Sequence, residues 1–303
     1  YIVTYDVRGA GMSSVPRRTW AYALPQLSLD LESVVNSMIP QRSFHLVAHD
    51  WGSIQSWESA TEPKFRERML SFTTISGPCL DHAAFWMREQ FTQYKPQFFK
   101  QLTKSWYIAA FQLLFLAPSV WQFFSPEHWG KVLSRLEGRS DLPLNHHIAA
   151  DGKHGVALYR ANFIPRLTKP RERFAICPVQ AIVLEQDQFV SPALIDEMPK
   201  WVEDFQRVNV NANHWAILSQ PEVIAKEIKR RVELGLPYPD YISIDGGSGG
   251  TGTAPLEMME RIGMDIRDAL YLVDKVLKDY GVREHVKISA SGKILTPDDV
   301  III

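Results

Sequence analysis

The chain has 303 residues, with 46% hydrophobic and 22% charged side chains, the makeup of an ordinary globular protein of one large or two average domains. Its formal net charge is −1 and it holds no long basic run, which argues against nucleic acid or an anionic membrane as a partner. Cys79 and Cys177 are its only cysteines, far apart and without CxxC spacing, so no disulfide framework and no metal site is expected, and a reducing compartment, the cytoplasm, is implied.

The first segment alternates β-rich runs with amphipathic helices. Tyr1 to Tyr5 is a strand candidate, followed by a glycine-rich turn at Gly9-Ala10-Gly11. Leu27, Leu31, Val34, Val35 and Met38 recur with helical spacing, and Pro40 ends that helix. Strands are expected at Phe44 to Ala48, Leu70 to Ile75, Val179 to Leu184 and Arg207 to Val210, with a helix starting near Gly52. Pro221 suits the first turn of a further helix that turns Val223, Ile224, Ile228 and Val232 inward. Strands alternating with helices imply an α/β fold, a mainly parallel sheet covered on both faces. Residues about 80 to 172 break the rhythm: they are rich in Phe, Trp, Tyr and Gln and read as helical. Such an insertion is expected as a lid over the carboxyl ends of the strands, where ligands bind. The apolar run Ile108 to Ala117 holds Gln112 and is too short to span a membrane. No signal peptide is read.

Leu236-Pro237-Tyr238-Pro239 reads as a linker, which divides the chain into residues 1–234, a linker at 235–240 and residues 241–303. A strand at Tyr241 to Ile244 runs into the loop Asp245-Gly246-Gly247-Ser248-Gly249-Gly250-Thr251-Gly252. A helix carrying Ala269, Leu270, Val273, Val276 and Leu277 on one face follows, closed by Gly281, and then a strand at His285 to Ala290. This is one βαβ unit. The chain opens at Tyr1 inside a β-like run and closes on Val300-Ile301-Ile302-Ile303, so both ends are expected to cut through structural elements.

Phe44-His45-Leu46-Val47-Ala48-His49-Asp50-Trp51-Gly52 carries the chemistry. An apolar strand runs into small-x-nucleophile-x-small, the signature of a sharp strand-to-helix turn that lifts the central side chain above the sheet. That central residue is Asp50, whose carboxylate would attack an electrophilic sp³ carbon and leave an ester on the enzyme. The competing reading is a plain helix cap. Two partners follow in the order nucleophile, acid, base: Asp187, after the strand ending at Leu184, and His214, after the strand ending at Val210. His214 would activate water and Asp187 would orient its ring. Glu185 is a weaker candidate for the acid. His45, His49, His146 and His147 read as structural or solvated.

The stretches Tyr5-Asp6-Val7-Arg8-Gly9-Ala10-Gly11-Met12-Ser13-Ser14 and His49-Asp50-Trp51-Gly52 resemble the epoxide hydrolase and haloalkane dehalogenase branch of the α/β-hydrolases. They look nearest to the hydrolase domain that precedes a short-chain dehydrogenase domain in some bacterial proteins. The resemblance spans about residues 1 to 234. It implies two lid tyrosines that hydrogen-bond an epoxide oxygen. Ser105-Trp106-Tyr107 with Phe111-Gln112 resembles the first motif, and Leu158-Tyr159-Arg160-Ala161-Asn162 the second. The expected substrate is a small apolar epoxide. Dehalogenation stays open, because Trp51 and lid tryptophans could hold a halide. The backbone N–H of Trp51 would supply half of the oxyanion hole. The other half is implied to come from a His-Gly loop after an earlier strand, before the start of this chain, and one missing donor costs on the order of 10²–10³ in rate.

Ser243-Ile244-Asp245-Gly246-Gly247-Ser248-Gly249-Gly250-Thr251-Gly252-Thr253-Ala254-Pro255-Leu256-Glu257 and Ser289-Ala290-Ser291-Gly292-Lys293-Ile294 resemble the FMN-binding domain of glutamate synthase. Carried over, the flavin contacts would be Gly249, Gly250, Thr251, Gly252, Ser291, Gly292 and Lys293. One βαβ unit of a (β/α)₈ barrel cannot enclose an isoalloxazine, so FMN is expected by resemblance alone and not as a bound cofactor. The hydrolase part needs no cofactor. A flavin-dependent oxidoreductase fragment and a catalytically inert chimera are the remaining alternatives. Oligomeric state is not legible.

Overall fold

The computed structural model describes residues 2–93, 95–113, 116–233, 241–245, 266–279, 283 and 287–291. The chain divides into two compact units, residues 1–228 and 229–303.

The first unit is built on an all-parallel sheet of β1 (Phe44–His49), β2 (Met69–Ile75), β3 (Val179–Leu184) and β4 (Phe205–Val210), in that spatial order. Helices α1 (Leu24–Met38) and α2 (Trp51–Ala60) precede β2. All six residues of β3 are buried, as a strand covered on both faces requires. Alternation then sorts its side chains. Val179, Ala181 and Val183 pack with Trp57, Met69 and Phe72 on one side. Ile182 and Leu184 pack with Ile75, Val210, Ala216 and Ile224 on the other.

Residues 80–172 contain no strand among the described residues. They form α3 (Leu80–Thr92), α4 (Pro96–Lys104), α5 (Trp106–Phe111), α6 (Leu116–Val120), α7 (Pro126–Glu137) and α8 (Ile148–Thr168). This is the expected helical lid. Leu80, Leu158 and Phe163 pack on Tyr22, Leu24, Leu27 and Ile54 of the sheet layer. The buried Asn162 side chain fastens the same seam: its Oδ1 accepts from the Leu24 N–H at 2.9 Å, and its Nδ2 donates to the Tyr22 carbonyl at 2.9 Å. Within the lid, a Cβ on Gly152 would fall 2.2 Å from the Trp121 indole, so α8 needs glycine there for close approach. After β4 come α9 (Ala216–Ser219) and α10 (Pro221–Glu233).

The expected strand at Tyr1 to Tyr5 is not formed: described residues 2–7 have no ladder partner. The reason is spatial. A groove of about 800 Å³ lies between Val3, Thr4, Tyr5 and Val7 on one side and Phe44 to His49 on the other, whereas paired strands sit about 4.8 Å apart. The same groove explains why Val34 is only half-buried and Met38 is exposed, since both line it. Val223 is likewise exposed, and Ile224 carries the inward face of α10.

The second unit contains β5 (Tyr241–Asp245) and β6 (Lys287–Ser291), paired in parallel from Tyr241 opposite Lys287 to Asp245 opposite Ser291. The helix α11 (Ile266–Asp279) buries Leu270 and Leu277 and leaves Val276 exposed. A βαβ unit is present as read. Of the flavin-contact residues, Gly249, Gly250, Thr251, Gly252, Gly292 and Lys293 lie outside the described residues, and Ser291 ends β6.

A buried ion network ties α2 to the strap before β3. Glu58 is 4% exposed and meets Arg171 Nη2 at 2.7 Å, Arg166 Nη2 at 3.4 Å and Arg173 Nη1 at 3.5 Å. Arg171 also reaches Asp81 at 2.9 Å. Removing one partner of such a network strands the others in a medium that solvates them poorly. Glu58→Ala is expected to lower stability by on the order of 2–4 kcal/mol in urea denaturation; a loss within experimental error would show that the arginines are adequately hydrated without it.

Candidate active site

Asp50 follows the last residue of β1 with φ +50° and ψ −123°. Non-glycine residues rarely adopt positive φ, and the backbone here turns sharply from strand into α2. Its N–H donates to the Ile75 carbonyl at 3.0 Å and its carbonyl accepts from the Ile54 N–H at 2.9 Å. The carboxylate makes no capping hydrogen bond to the helix it precedes. The helix-cap alternative therefore does not describe it: the side chain is 41% exposed and turned toward the lid pocket.

The crowding that holds this turn lies elsewhere than the motif suggests. A Cβ on Gly52 would meet only Ala48 Cβ, at an ordinary 3.9 Å. A Cβ on Gly77 would fall 2.4 Å from the Asp50 carbonyl oxygen and 2.5 Å from Ser53 Cβ. The Gly77 carbonyl in turn accepts from Ser53 Oγ at 2.7 Å, Trp57 Nε1 at 3.1 Å and Thr74 Oγ1 at 3.1 Å. Gly77 is the floor beneath the Asp50 turn.

Asp187 and His214 meet above the carboxyl edge of the sheet. His214 Nδ1 lies 2.9 Å from Asp187 Oδ2, and Nε2 lies 3.7 Å from Asp50 Oδ1. Asp187 Oδ1 accepts from the Phe189 and Val190 N–H groups at 2.7 and 2.9 Å. Both Asp187 and His214 are buried. Burial resists ionisation of Asp187, yet its hydrogen bond to His214, the charge of His214 and the two backbone donors outweigh it and hold the carboxyl below its usual range. Burial also disfavours the His214 imidazolium, yet the Asp187 hydrogen bond and the charges of Asp50, Asp187 and Glu137 outweigh it and raise its pKa. A carboxylate on Nδ1 fixes the tautomer, so Nε2 is the nitrogen presented to Asp50. Glu185, the weaker acid candidate, is exposed and accepts from Asn209 Nδ2 at 3.2 Å, away from the imidazole.

Tyr107 on α5 and Tyr159 on α8 line a cavity of about 360 Å³ together with Asp50. Their rings pack edge to face at 5.9 Å. Burial, joined by the charge of Asp50, raises the pKa of both hydroxyls, which keeps them as O–H donors. The remaining wall is apolar, with Ile54, Leu80, Met87, Leu102, Phe163 and Phe189 among its side chains. Trp51 packs edge-on to Tyr159 at 4.8 Å. As the first residue of α2, Trp51 has a backbone N–H outside the helix's own ladder.

Three supports escape sequence reading because no local pattern marks them. Gln101 of α4 donates to Ser105 Oγ and the Phe189 carbonyl, and accepts from the Ser191 N–H, clamping the Asp187 loop to the lid. Glu137 of α7 accepts from the Trp215 N–H at 2.9 Å and from Ser219 Oγ at 2.6 Å, behind His214. His49, read as structural, has its ring 4.9 Å from His214, and its Nε2 lies 2.7 Å from the His214 carbonyl. Burial first, then the His214 charge, lowers its pKa. His45 is bound to Ser71, and His146 and His147 are exposed, in keeping with their structural or solvated reading.

The family described as alpha/beta hydrolase fold matches residues 2–221, which is more than half of the chain. The chain belongs to the α/β-hydrolase fold family. A second family, described as a conserved region in glutamate synthase, matches residues 187–303 of this α/β-hydrolase. Probable oxidoreductase EphD of Mycobacterium tuberculosis is 30% identical over 88% of this chain and 50% of its own length; the chain spans about half the length of that relative. Glutamate synthase large subunit-like protein YerD of Bacillus subtilis is 51% identical over 63 residues, 21% of this chain and 12% of its own. Among solved structures, a single-residue mutant of an epoxide hydrolase from Bacillus megaterium, in complex with its product, superposes with TM-score 0.58 at 21% identity, over 75% of this chain and 82% of that one. The hydrolase unit therefore has an epoxide hydrolase-like fold, joined to a short stretch similar to glutamate synthases.

The site's electrostatics give a measurable outcome that needs no substrate. Asp50 is one of the charges that favour the His214 imidazolium. Asp50→Asn is expected to lower the His214 pKa, read by NMR titration of its ring protons. An unchanged midpoint would mean that the two side chains do not face each other in solution.

Proposed function

We propose that the α/β-hydrolase unit opens epoxides through an alkyl ester on Asp50. The observation that carries this reading is that Asp50, on its strained turn, shares one cavity with Tyr107 and Tyr159 of the lid and has His214 Nε2 3.7 Å away.

In the first step an Asp50 carboxylate oxygen attacks an oxirane carbon, and the carbon–oxygen bond of the ring breaks. The electron pair goes to the oxirane oxygen, which receives hydrogen bonds and a proton from the tyrosine pair. Buried phenols with raised pKa values remain protonated until an alkoxide, a stronger base, forms beside them. In the second step His214 Nε2 takes a proton from water, and the hydroxide adds to the Asp50 carbonyl carbon. The Trp51 backbone N–H stabilises the oxyanion. The diol departs with one former carboxylate oxygen, and Asp50 retains the oxygen from water. Asp187 keeps the ring oriented and balances the imidazolium. Esterification removes the Asp50 charge that favours the imidazolium, so His214 stands neutral and able to take the proton from water; that proton then passes to the tyrosinate left by the first step, which restores both groups.

The alternative is halide displacement from a haloalkane, which shares the ester and the base. It leans on the Trp51 indole, which packs against Tyr159 and does not line the cavity. The tyrosine pair favours the epoxide, because a leaving halide needs no proton and a leaving alkoxide does. For the C-terminal unit no flavin role is proposed.

His214→Ala mixed with styrene oxide is expected to accumulate a covalent adduct of one substrate mass on the peptide containing Asp50, seen by mass spectrometry. Asp50→Asn in the same background is expected to remain unmodified. A folded His214→Ala protein with Asp50 unmodified after prolonged exposure contradicts the proposal.

A further inference from the structure

Two helices of the lid grip the two loops that carry the acid and the base. Gln101 of α4 holds the Asp187 loop, and Glu137, the last residue of α7, holds the base loop. Glu137 Oε1 accepts from the Trp215 N–H at 2.9 Å, and Oε2 accepts from Ser219 Oγ at 2.6 Å. Those donors stand at the two ends of α9, so one carboxylate spans the whole turn that begins next to His214. Arg139, two residues on, donates to the Ser219 carbonyl at 2.6 Å. The Trp129 ring of α7 meets the Trp215 ring edge to face at 5.9 Å.

Local preferences argue against an acid at this position. The C-terminal end of a helix carries a partial negative charge and favours cations, such as Arg135 in the same last turn. Glu137 is also buried, and a carboxylate costs more to bury than an amide. Arg139 pairs with Asp141, and among the described residues no lysine or arginine pairs with Glu137. A glutamine could make the same two contacts, its oxygen accepting from the peptide N–H and its NH₂ donating to the serine hydroxyl. What the carboxylate adds is its charge.

The surroundings of His214 show where that charge acts. Asp187 from the loop after β3 lies at 2.9 Å and Asp50 from the turn after β1 at 3.7 Å. The His49 ring of β1, whose pKa burial lowers, is 4.9 Å away, and Glu137 stands behind the Trp215 peptide. The other ring neighbours, Phe189 and Trp215, carry no charge. Lys104 of α4 is engaged with the Asp187 carbonyl, and the Tyr107 and Tyr159 phenols hold their protons. Three negative charges thus favour the imidazolium before the reaction. Once Asp50 is an ester, Asp187 and Glu137 are the two that remain to stabilise the imidazolium that forms as water is deprotonated.

Resting on the epoxide hydrolase reading, we infer that Glu137 is a positioning residue for ester hydrolysis, one that fixes the turn beside His214 and keeps a negative charge behind the imidazole after Asp50 has lost its own.

Glu137→Gln keeps the hydrogen-bonding shape and removes the charge, so a purely structural role predicts no change. The inference predicts a lower His214 midpoint in NMR titration of its ring protons. The fall is expected to persist in Asp50→Asn, whose neutral side chain stands in for the ester. In single turnovers of styrene oxide, the acidic limb of ester decay is expected to move to lower pH, because a weaker base sheds its proton sooner. The plateau of that decay falls on the order of fivefold, while ester formation keeps its rate. Ser219→Ala removes one partner of the carboxylate and leaves its charge, and is expected not to lower the midpoint. A fall in Ser219→Ala equal to that in Glu137→Gln would assign the effect to loosening of α9 and overturn the inference. Turnover of styrene oxide with midpoint and ester decay unchanged in Glu137→Gln also overturns it and leaves the epoxide reading standing. A lowered midpoint in Glu137→Gln with no ester ever found on Asp50 upholds the charge behind His214 and defeats the epoxide reading.

Discussion

The positive φ of Asp50 is the constraint on which the rest of the site depends. A non-glycine residue in this conformation costs on the order of 1–3 kcal/mol and persists only when its surroundings over-determine it. Here they do. The Asp50 N–H is held by Ile75 of β2, its carbonyl starts the α2 ladder, and the space beneath is closed by Gly77. Ser53, Trp57 and Thr74 all direct donors at the Gly77 carbonyl. The return for that strain is a carboxylate raised above the sheet edge and not folded back onto its own helix. Everything opposite it, the imidazole and the two phenols, is useful only because the carboxylate stands there.

The same burial acts on three kinds of group with three outcomes. The phenols of Tyr107 and Tyr159 are pushed to hold their protons. The His49 ring, which has a backbone carbonyl as partner and the His214 charge beside it, is pushed toward neutrality. His214 goes the other way, because Asp187 and Asp50 both stand against it and Glu137 adds a third negative charge from the lid. Protonated phenols, a neutral imidazole and one that favours its proton are thus separated by partners and not by exposure.

Much of this is legible in the sequence. Parallel strands covered on both faces announce themselves as short apolar runs, and β3 is readable for that reason. The Asp50 turn is readable because its flanking small residues are contiguous with the strand, and Asp187 and His214 because each falls just past a strand end. The tyrosines are legible only through their resemblance to known motifs. What escapes reading is long-range. Gly77 lies 27 residues from Asp50 in the sequence and crowds it only in three dimensions. Gln101 and Glu137 support loops 88 and 78 residues away. The strand expected at Tyr1 to Tyr5 fails for a related reason: its composition is β-like, but a strand is a relation between two segments, and a groove separates this one from β1.

The central claim is that the ester forms on Asp50 and is cleaved by attack of water at its carbonyl carbon. A single turnover of excess chain with styrene oxide in ¹⁸O-labelled water tests this most directly. The account predicts one ¹⁸O in the peptide carrying Asp50 and an unlabelled first-turnover diol. Label in the diol with none in Asp50 would mean that water opens the ring directly, and the carboxylate would then be a base and not a nucleophile.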